Sequence, residues 1–252
     1  MKRNVILIIS LSIAIILGLN VSAQNAKEIV KKSDELLQGE QSSYTEMVMT
    51  VVRPTYDRRV VFKSWTKGRD KSITLITSPA RDRGQCFLKH GNEMWSWNPT
   101  ISRMIKLPAS MMSQGWMGSD FTNDDIMNES SIVVDYDHSL NGEEVIEGFE
   151  CYRIILIPHE DAEVVWGKIE MWISKTKYLQ MKVQFYDDDD YLIRSQYAYD
   201  IKEMGGRIIP SRMELIPEEE EGQKTIVEFI NIRFNEDIRD DFFSQQNMKR
   251  LK

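Results

Sequence analysis

Lys168 to Ile201 reads KIEMWISKTKYLQMKVQFYDDDDYLIRSQYAYDI. Ile169, Met171 and Ile173 alternate there with Lys168, Glu170 and Trp172. Met181, Val183 and Phe185 alternate with Lys182 and Gln184, and Ile193, Tyr197, Tyr199 and Ile201 carry the pattern on. A period of two puts every second side chain on one face of an extended chain, so these runs are strands with one apolar face. They are joined by short turns, one of them the run Asp187 to Asp190, with no helical pattern between them. Antiparallel neighbours need only such short links, whereas parallel strands need a long crossover. The stretch therefore predicts an antiparallel meander.

The same signal extends outward. From Tyr44 on, Met47, Met49 and Val51 alternate with Glu46, Val48 and Thr50, and the run around Ile226 to Phe234 repeats the pattern less cleanly. Turn signals at Gly68, Gly91-Asn92, Asn141-Gly142, Gly148, Gly205-Gly206 and Glu221-Gly222 divide the chain into roughly ten strands. Strands with one apolar and one polar face fit a single curved sheet closing round an interior. No linker, repeat or shift of composition splits the chain, which predicts one domain over residues 24–252. One helix precedes the sheet: Ala26, Ile29, Val30, Ser33 and Leu37 recur at helical spacing, with Leu36 widening the stripe. Asn25 and Glu28 resemble a capping box, and Gly39 is placed to end the helix.

The meander is interrupted near its middle. Six of the fourteen methionines lie between Met94 and Met127, together with Trp95, Trp97, Trp116 and Phe121. Leu107 to Ser119 (LPASMMSQGWMGS) has no charged residue, and its Pro and two Gly argue against a regular strand or long helix. An apolar segment without regular structure either tucks over the core or covers a cavity, and methionine suits a surface that repacks around an irregular apolar ligand. Asp120 to Met127, with Ser119 as N-cap, predicts a short helix before the strands resume near Ile132. Trp95 and Trp97 share one face of a strand, as core filling or as an aromatic wall.

The ends and the composition set further bounds. Lys2 and Arg3, an apolar run from Val5 to Leu19, and Val21-Ser22-Ala23 read as an export signal cleaved after Ala23. No Cys follows for lipid attachment. Removing residues 1–23 takes the formal charge from −7 to −9, which argues against nucleic acid, whose phosphates call for a basic face. The runs Asp187 to Asp190 and Glu218 to Glu221 read as solvated hairpin tips rather than metal sites. Cys86 and Cys151 fit either a disulfide or two buried thiols.

Catalytic signatures are scarce. There is no G-x-S-x-G elbow, phosphate-binding Gly loop or H-E-x-x-H, and His90, His138 and His159 form no spaced ligand pair. No catalytic residue, metal or cofactor is expected.

The chain resembles the LolA/LolB-like superfamily, and within it the outer membrane lipoprotein-sorting group. The resemblance rests on Met94-Trp95-Ser96-Trp97-Asn98-Pro99, Leu107-Pro108, Met117 to Asp125 (MGSDFTNDD), Ile209-Pro210 and Asp240-Asp241-Phe242-Phe243. It implies a mainly β fold: a half-open antiparallel β-barrel whose apolar interior is covered by the N-terminal helix and a lid of loop and short helix. It also implies a periplasmic carrier of acylated lipids or lipoproteins, with an inner-membrane transporter as a partner. Met47, Met49, Trp95, Trp97, Met111, Met112, Trp116, Met117 and Phe121 are the residues expected to line or cover the cavity, in a monomer. The alternative is a periplasmic interaction or sensor module of the same fold without lipid cargo; a hydrolase comes third.

Overall fold

A computed structural model describes residues 25–36, 41–127, 131–162 and 164–251. The export signal expected at residues 1–23, and Leu37 and Gly39, lie outside the described residues. Helix α1 spans residues 25–36. Thirteen strands follow: β1 Ser42–Arg53, β2 Tyr56–Lys67, β3 Lys71–Ser78, β4 Cys86–His90, β5 Glu93–Asn98, β6 Arg103–Lys106, β7 Tyr136–Ile146, β8 Phe149–Pro158, β9 Lys168–Ser174, β10 Gln180–Tyr186, β11 Leu192–Met204, β12 Arg207–Pro217 and β13 Lys224–Phe234. Short helices α2 (Asn123–Met127) and α3 (Gln245–Met248) complete the list.

All thirteen strands belong to one sheet in the order β6-β5-β4-β3-β2-β1-β13-β12-β11-β10-β9-β8-β7. Every consecutive pair of strands except β6 and β7 is antiparallel, and β1 pairs with β13 in mid-sheet. The sheet is curved and does not close, giving the half-open barrel. It has three more strands than the roughly ten read from sequence. β4, β5 and β6 are only four to six residues long, too short for a period of two to stand out.

Each face has its own cover. On the inner face Ile154, Leu156, Ile169, Met171 and Val183 pack against Ala26, Ile29 and Val30 of α1. The alternation quoted above thus becomes a wall of the interior, each buried aliphatic or methionine side chain contributing roughly 1.5–3 kcal/mol. On the outer face Ile73, Leu75, Cys86 and Leu88 pack under Ile238, Phe243 and Met248 of the C-terminal segment. That segment turns sharply at α3, where the Ser244 hydroxyl accepts the Asn247 N–H. Cys86 and Cys151 are unpaired thiols buried in separate clusters. Burial pushes them up to about 12 and about 11 respectively, so both are protonated and inert at neutral pH.

Candidate functional site: an interior cavity under a pinned crossover

Strand β6 is one edge of the sheet and β7 the other, yet they are consecutive in the chain. The segment between Lys106 and Tyr136 must therefore travel from one edge to the other, and it does so across the inner face. This is the uncharged, Met-rich stretch together with α2. It holds its own shape by hydrogen bonds: the Trp116 N–H donates to the Phe121 carbonyl (2.6 Å) and the Asn123 N–H to that of Gln114 (2.9 Å). The Asp124 N–H reaches Met112 O at 3.0 Å. Gly115 is required there, because a Cβ would lie 2.7 Å from the Ser119 carbonyl oxygen. The chain then turns through left-handed backbone at Met117 (φ 54°) and Gly118 (φ 73°). Thr122 and Asp125 start α2 as a reciprocal capping pair, the Asp125 carboxylate accepting the Thr122 N–H (2.6 Å) while the Thr122 hydroxyl accepts the Asp125 N–H (3.1 Å).

Side chains from the sheet pin the crossover. Arg53 on β1 forks onto the Asp120 carboxylate (2.9 and 3.2 Å) and also donates to the Gly118 carbonyl (3.2 Å). Arg58 on β2 donates to the Met117 carbonyl (2.6 Å). Thr225 on β13 donates to Asp120 (2.6 Å) and accepts its N–H (3.0 Å). Arg194 on β11 donates to the Asp120 carbonyl (2.8 Å) and pairs with Asp125 (2.5 Å), its guanidinium lying 4.2 Å from the ring centre of Trp166 and 4.4 Å from that of Phe185. A planar guanidinium between two aromatic rings keeps its charge-assisted bonds while little of it meets water. The MGSDF stretch singled out in the sequence is thus the part bound by four strands.

Between crossover, α1 and sheet lies a cavity of about 280 Å³, close to the lower end of the roughly 300–1,000 Å³ of small-molecule sites. Its apolar body is formed by Met47, Met49, Phe62, Met171, Val183, Phe185 and Phe229 from the sheet, with Trp116, Phe121 and Ile126 from the crossover. Trp116 is only 2% exposed and meets the edges of Phe62 and Phe87 with ring centres 5.5 Å away. Its indole N–H has no hydrogen-bond partner among the described residues. Tyr136, also on the wall, is raised above its ordinary pKa by burial and by the carboxylates of Asp124, Asp135 and Asp125, and stays a neutral phenol.

Of the residues named from sequence, Met47, Met49, Trp116 and Phe121 line the cavity, and Met117 packs in the cluster around Trp116. Met111 and Met112 are half-buried on the crossover away from the wall, their carbonyls held by Asn123 and Asp124. Trp95 and Trp97 are not brought to the cavity. They lie on the outer face with Leu88 and Cys86, beneath the C-terminal segment. Sequence spacing correctly paired the two indoles on one face, but which face is settled by residues more than a hundred positions later. The pinning residues Arg53, Arg58, Arg194 and Thr225 were missed, since their partners are 59–105 residues away. Among the described residues no group of His, Cys, Asp or Glu is arranged to hold a metal ion, and no helix is long and apolar enough to cross a membrane.

Solved structures share this architecture. A DUF1329 family protein from Desulfovibrio piger superposes with a TM-score of 0.81 at 24% identity, covering 90% of this chain and 99% of that one. A putative outer membrane lipoprotein-sorting protein domain from Vibrio parahaemolyticus gives 0.80 at 21%, again covering 90% and 99%. A LolA superfamily protein from Nitrosomonas europaea gives 0.76 at 23%, covering 88% and 98%. The fold is therefore LolA-like. No curated protein matches the sequence. A family model described as "-like: Uncharacterized protein" matches residues 68–250, well over half of the chain, and the protein belongs to that family.

Proposed function

We propose that the protein binds an acylated ligand in its interior cavity, as a periplasmic carrier or binding protein without turnover. The observation that carries this reading is the cavity itself, walled by methionines and aromatics under a crossover that belongs to neither edge strand. Each acyl methylene moved from water into such a wall gains about 0.8 kcal/mol. Met47, Met49, Met171 and Met213, all on the wall, adapt by rotamer changes to a flexible chain. The volume suits one chain rather than several. The LolA-like fold supports the reading, as does the lipoprotein-sorting description carried by the Vibrio structure. By the same resemblance, delivery would involve an inner-membrane transporter.

Native mass spectrometry of the protein purified from a bacterial periplasm tests this. A bound mass that survives desalting and is displaced by palmitate is the expected result. An empty protein that takes up no palmitate, yet forms a stable complex with another protein, would overturn it in favour of an interaction module.

A further inference from the structure

One end of the cavity is not apolar. On the inner face of β1, β2 and β3 the registers align hydroxyls in two rows: Ser43 opposite Thr66 opposite Ser72, and Thr45 opposite Ser64 opposite Thr74. All six line the cavity. The next row, Met47 opposite Phe62 opposite Ile76, is wholly apolar. Two cross-strand bonds form within the ladder, Ser43 Oγ to Thr66 Oγ1 (2.7 Å) and Ser64 Oγ to Thr74 Oγ1 (3.1 Å). A hydroxyl has one proton and two lone pairs, so each bonded pair keeps one proton to donate and acceptor capacity besides. Thr45 and Ser72 add two more hydroxyls, so this end of the wall is polar where the neighbouring row is Met, Phe and Ile.

Cations stand at the open end of this ladder. The first hydroxyl row continues onto β4 at Lys89, opposite Ser72. The Lys89 ammonium donates to the Arg69 carbonyl in the β2–β3 turn (2.6 Å). Arg69 itself spans to Asp34 of α1 (2.8 Å), and Lys71 reaches Asp240 (3.1 Å). Arg69, Lys71 and Lys89 all line the cavity, and at this end Asp34 is the acid among them. Asp124 and Asp125 belong to the other end, beside Tyr136 and Arg194. Gly68 and the partly exposed Arg69 also place this end at the surface. Three cations and one carboxylate thus line this end of the cavity in a chain of net charge −7, with Asp240 holding Lys71 from outside it.

We infer that this end is a headgroup subsite, and that the ligand is a single-chain anionic amphiphile. Its acyl chain runs toward Met49 and Trp116, its glycerol or sugar hydroxyls meet the Ser/Thr ladder, and its phosphate or carboxylate meets Arg69 and Lys89. The inference rests on the cavity being an acyl site and adds the chemistry of the other half of the ligand.

The test compares two probes with the same chain, palmitoyl lysophosphatidylglycerol and monopalmitoylglycerol, by calorimetry with the purified protein. The charged probe should bind at least tenfold more tightly. Arg69→Gln with Lys89→Gln should erase that preference. Because Arg69 also holds α1 through Asp34, Lys89→Gln alone serves as the variant that keeps the fold, with a severalfold loss for the charged probe only. Thr45→Val with Thr74→Val, isosteric and apolar, should weaken lysophosphatidylglycerol severalfold, and Thr45→Ser with Thr74→Ser should restore it. Equal binding of the two probes, or a preference untouched by these variants, would overturn the headgroup subsite while leaving the acyl site standing. No binding of either probe would overturn the acyl reading and this one with it. Inorganic phosphate competing at the concentrations at which lysophosphatidylglycerol binds would mean a site for the free anion, not for an amphiphile.

Discussion

Trp116 is both wall and core. The uncharged segment around it suggested a cover loosely laid over a cavity, but its ring is clamped between Phe62 and Phe87 and almost wholly buried. Trp116→Ala should therefore cost about 3–5 kcal/mol in urea unfolding, as for other large aromatics removed from a core. Trp116→Phe should cost less than about 1.5 kcal/mol, because it keeps an aromatic ring there and removes an indole N–H that finds no partner. His138 provides a second residue-level test. Its Nε2 lies 2.8 Å from the Ile132 carbonyl, and burial, with a smaller push from Lys27 and His159 against the pull of Asp137, holds its pKa below the ordinary 6.5. A base whose pKa is depressed on folding binds fewer protons than the unfolded chain, so its contribution is present above about pH 6.5 and is lost as the pH falls below that. Unfolding free energy should decline as the pH falls below 6.5, and His138→Gln should flatten that slope. Glu93 and Asp240, held low by Lys106 and by Lys67 and Lys71, add their own losses only below about pH 4.5.

The crossover behaves as one element because it is bonded as one. Asp120 takes the Arg53 fork and the Thr225 hydroxyl together. Asp120→Asn weakens both and should cost about 1.5–3 kcal/mol, the range for hydrogen bonds to charged groups. Hydrogen exchange should show the loss at residues 111–126, with β7–β10 still protected; uniform loss over the sheet would mean the crossover is not a separate unit. The β10–β11 connection makes the opposite prediction. Asp188 and Asp189 sit at an exposed tip, so replacing both with Asn should move stability by less than about 0.5 kcal/mol and leave ligand binding unchanged. These elements were not equally legible. Long strands such as β9 to β11 announced themselves because one face is buried and the other wet. The crossover was visible as an oddity, apolar without periodicity, but its anchors were not. Arg53, Arg58 and Arg194 look like any surface arginine until the fold carries Gly118, Met117 and Asp125 to them.

At the scale of the whole molecule, the sheet is two meanders, β1–β6 and β7–β13, joined by the crossover at their outer edges and by the β1–β13 pair at their inner ones. Within each meander every strand pairs with its sequence neighbour. That pair is different: Ser43 aligns with Phe234 and Val52 with Lys224. Removing residues 224–252 should leave β1 and β12 as bare edges, each a template for another chain, and light scattering should show more association than for the full chain.

That central pair also fixes a timetable. β13 is made after the eleven strands β2–β12, so β1 waits through all of them with one flank open. Hairpins of both meanders close locally and fast, whereas joining residues some 190 positions apart requires closing the longest loop in the molecule. The joining of β1 to β13 is then the slow, committing step of folding. The interior exists only once it is complete, because Met47, Met49, Val227 and Phe229 face the same cavity from the two sides of that seam. Before β13 arrives, a half-made chain has no enclosed interior.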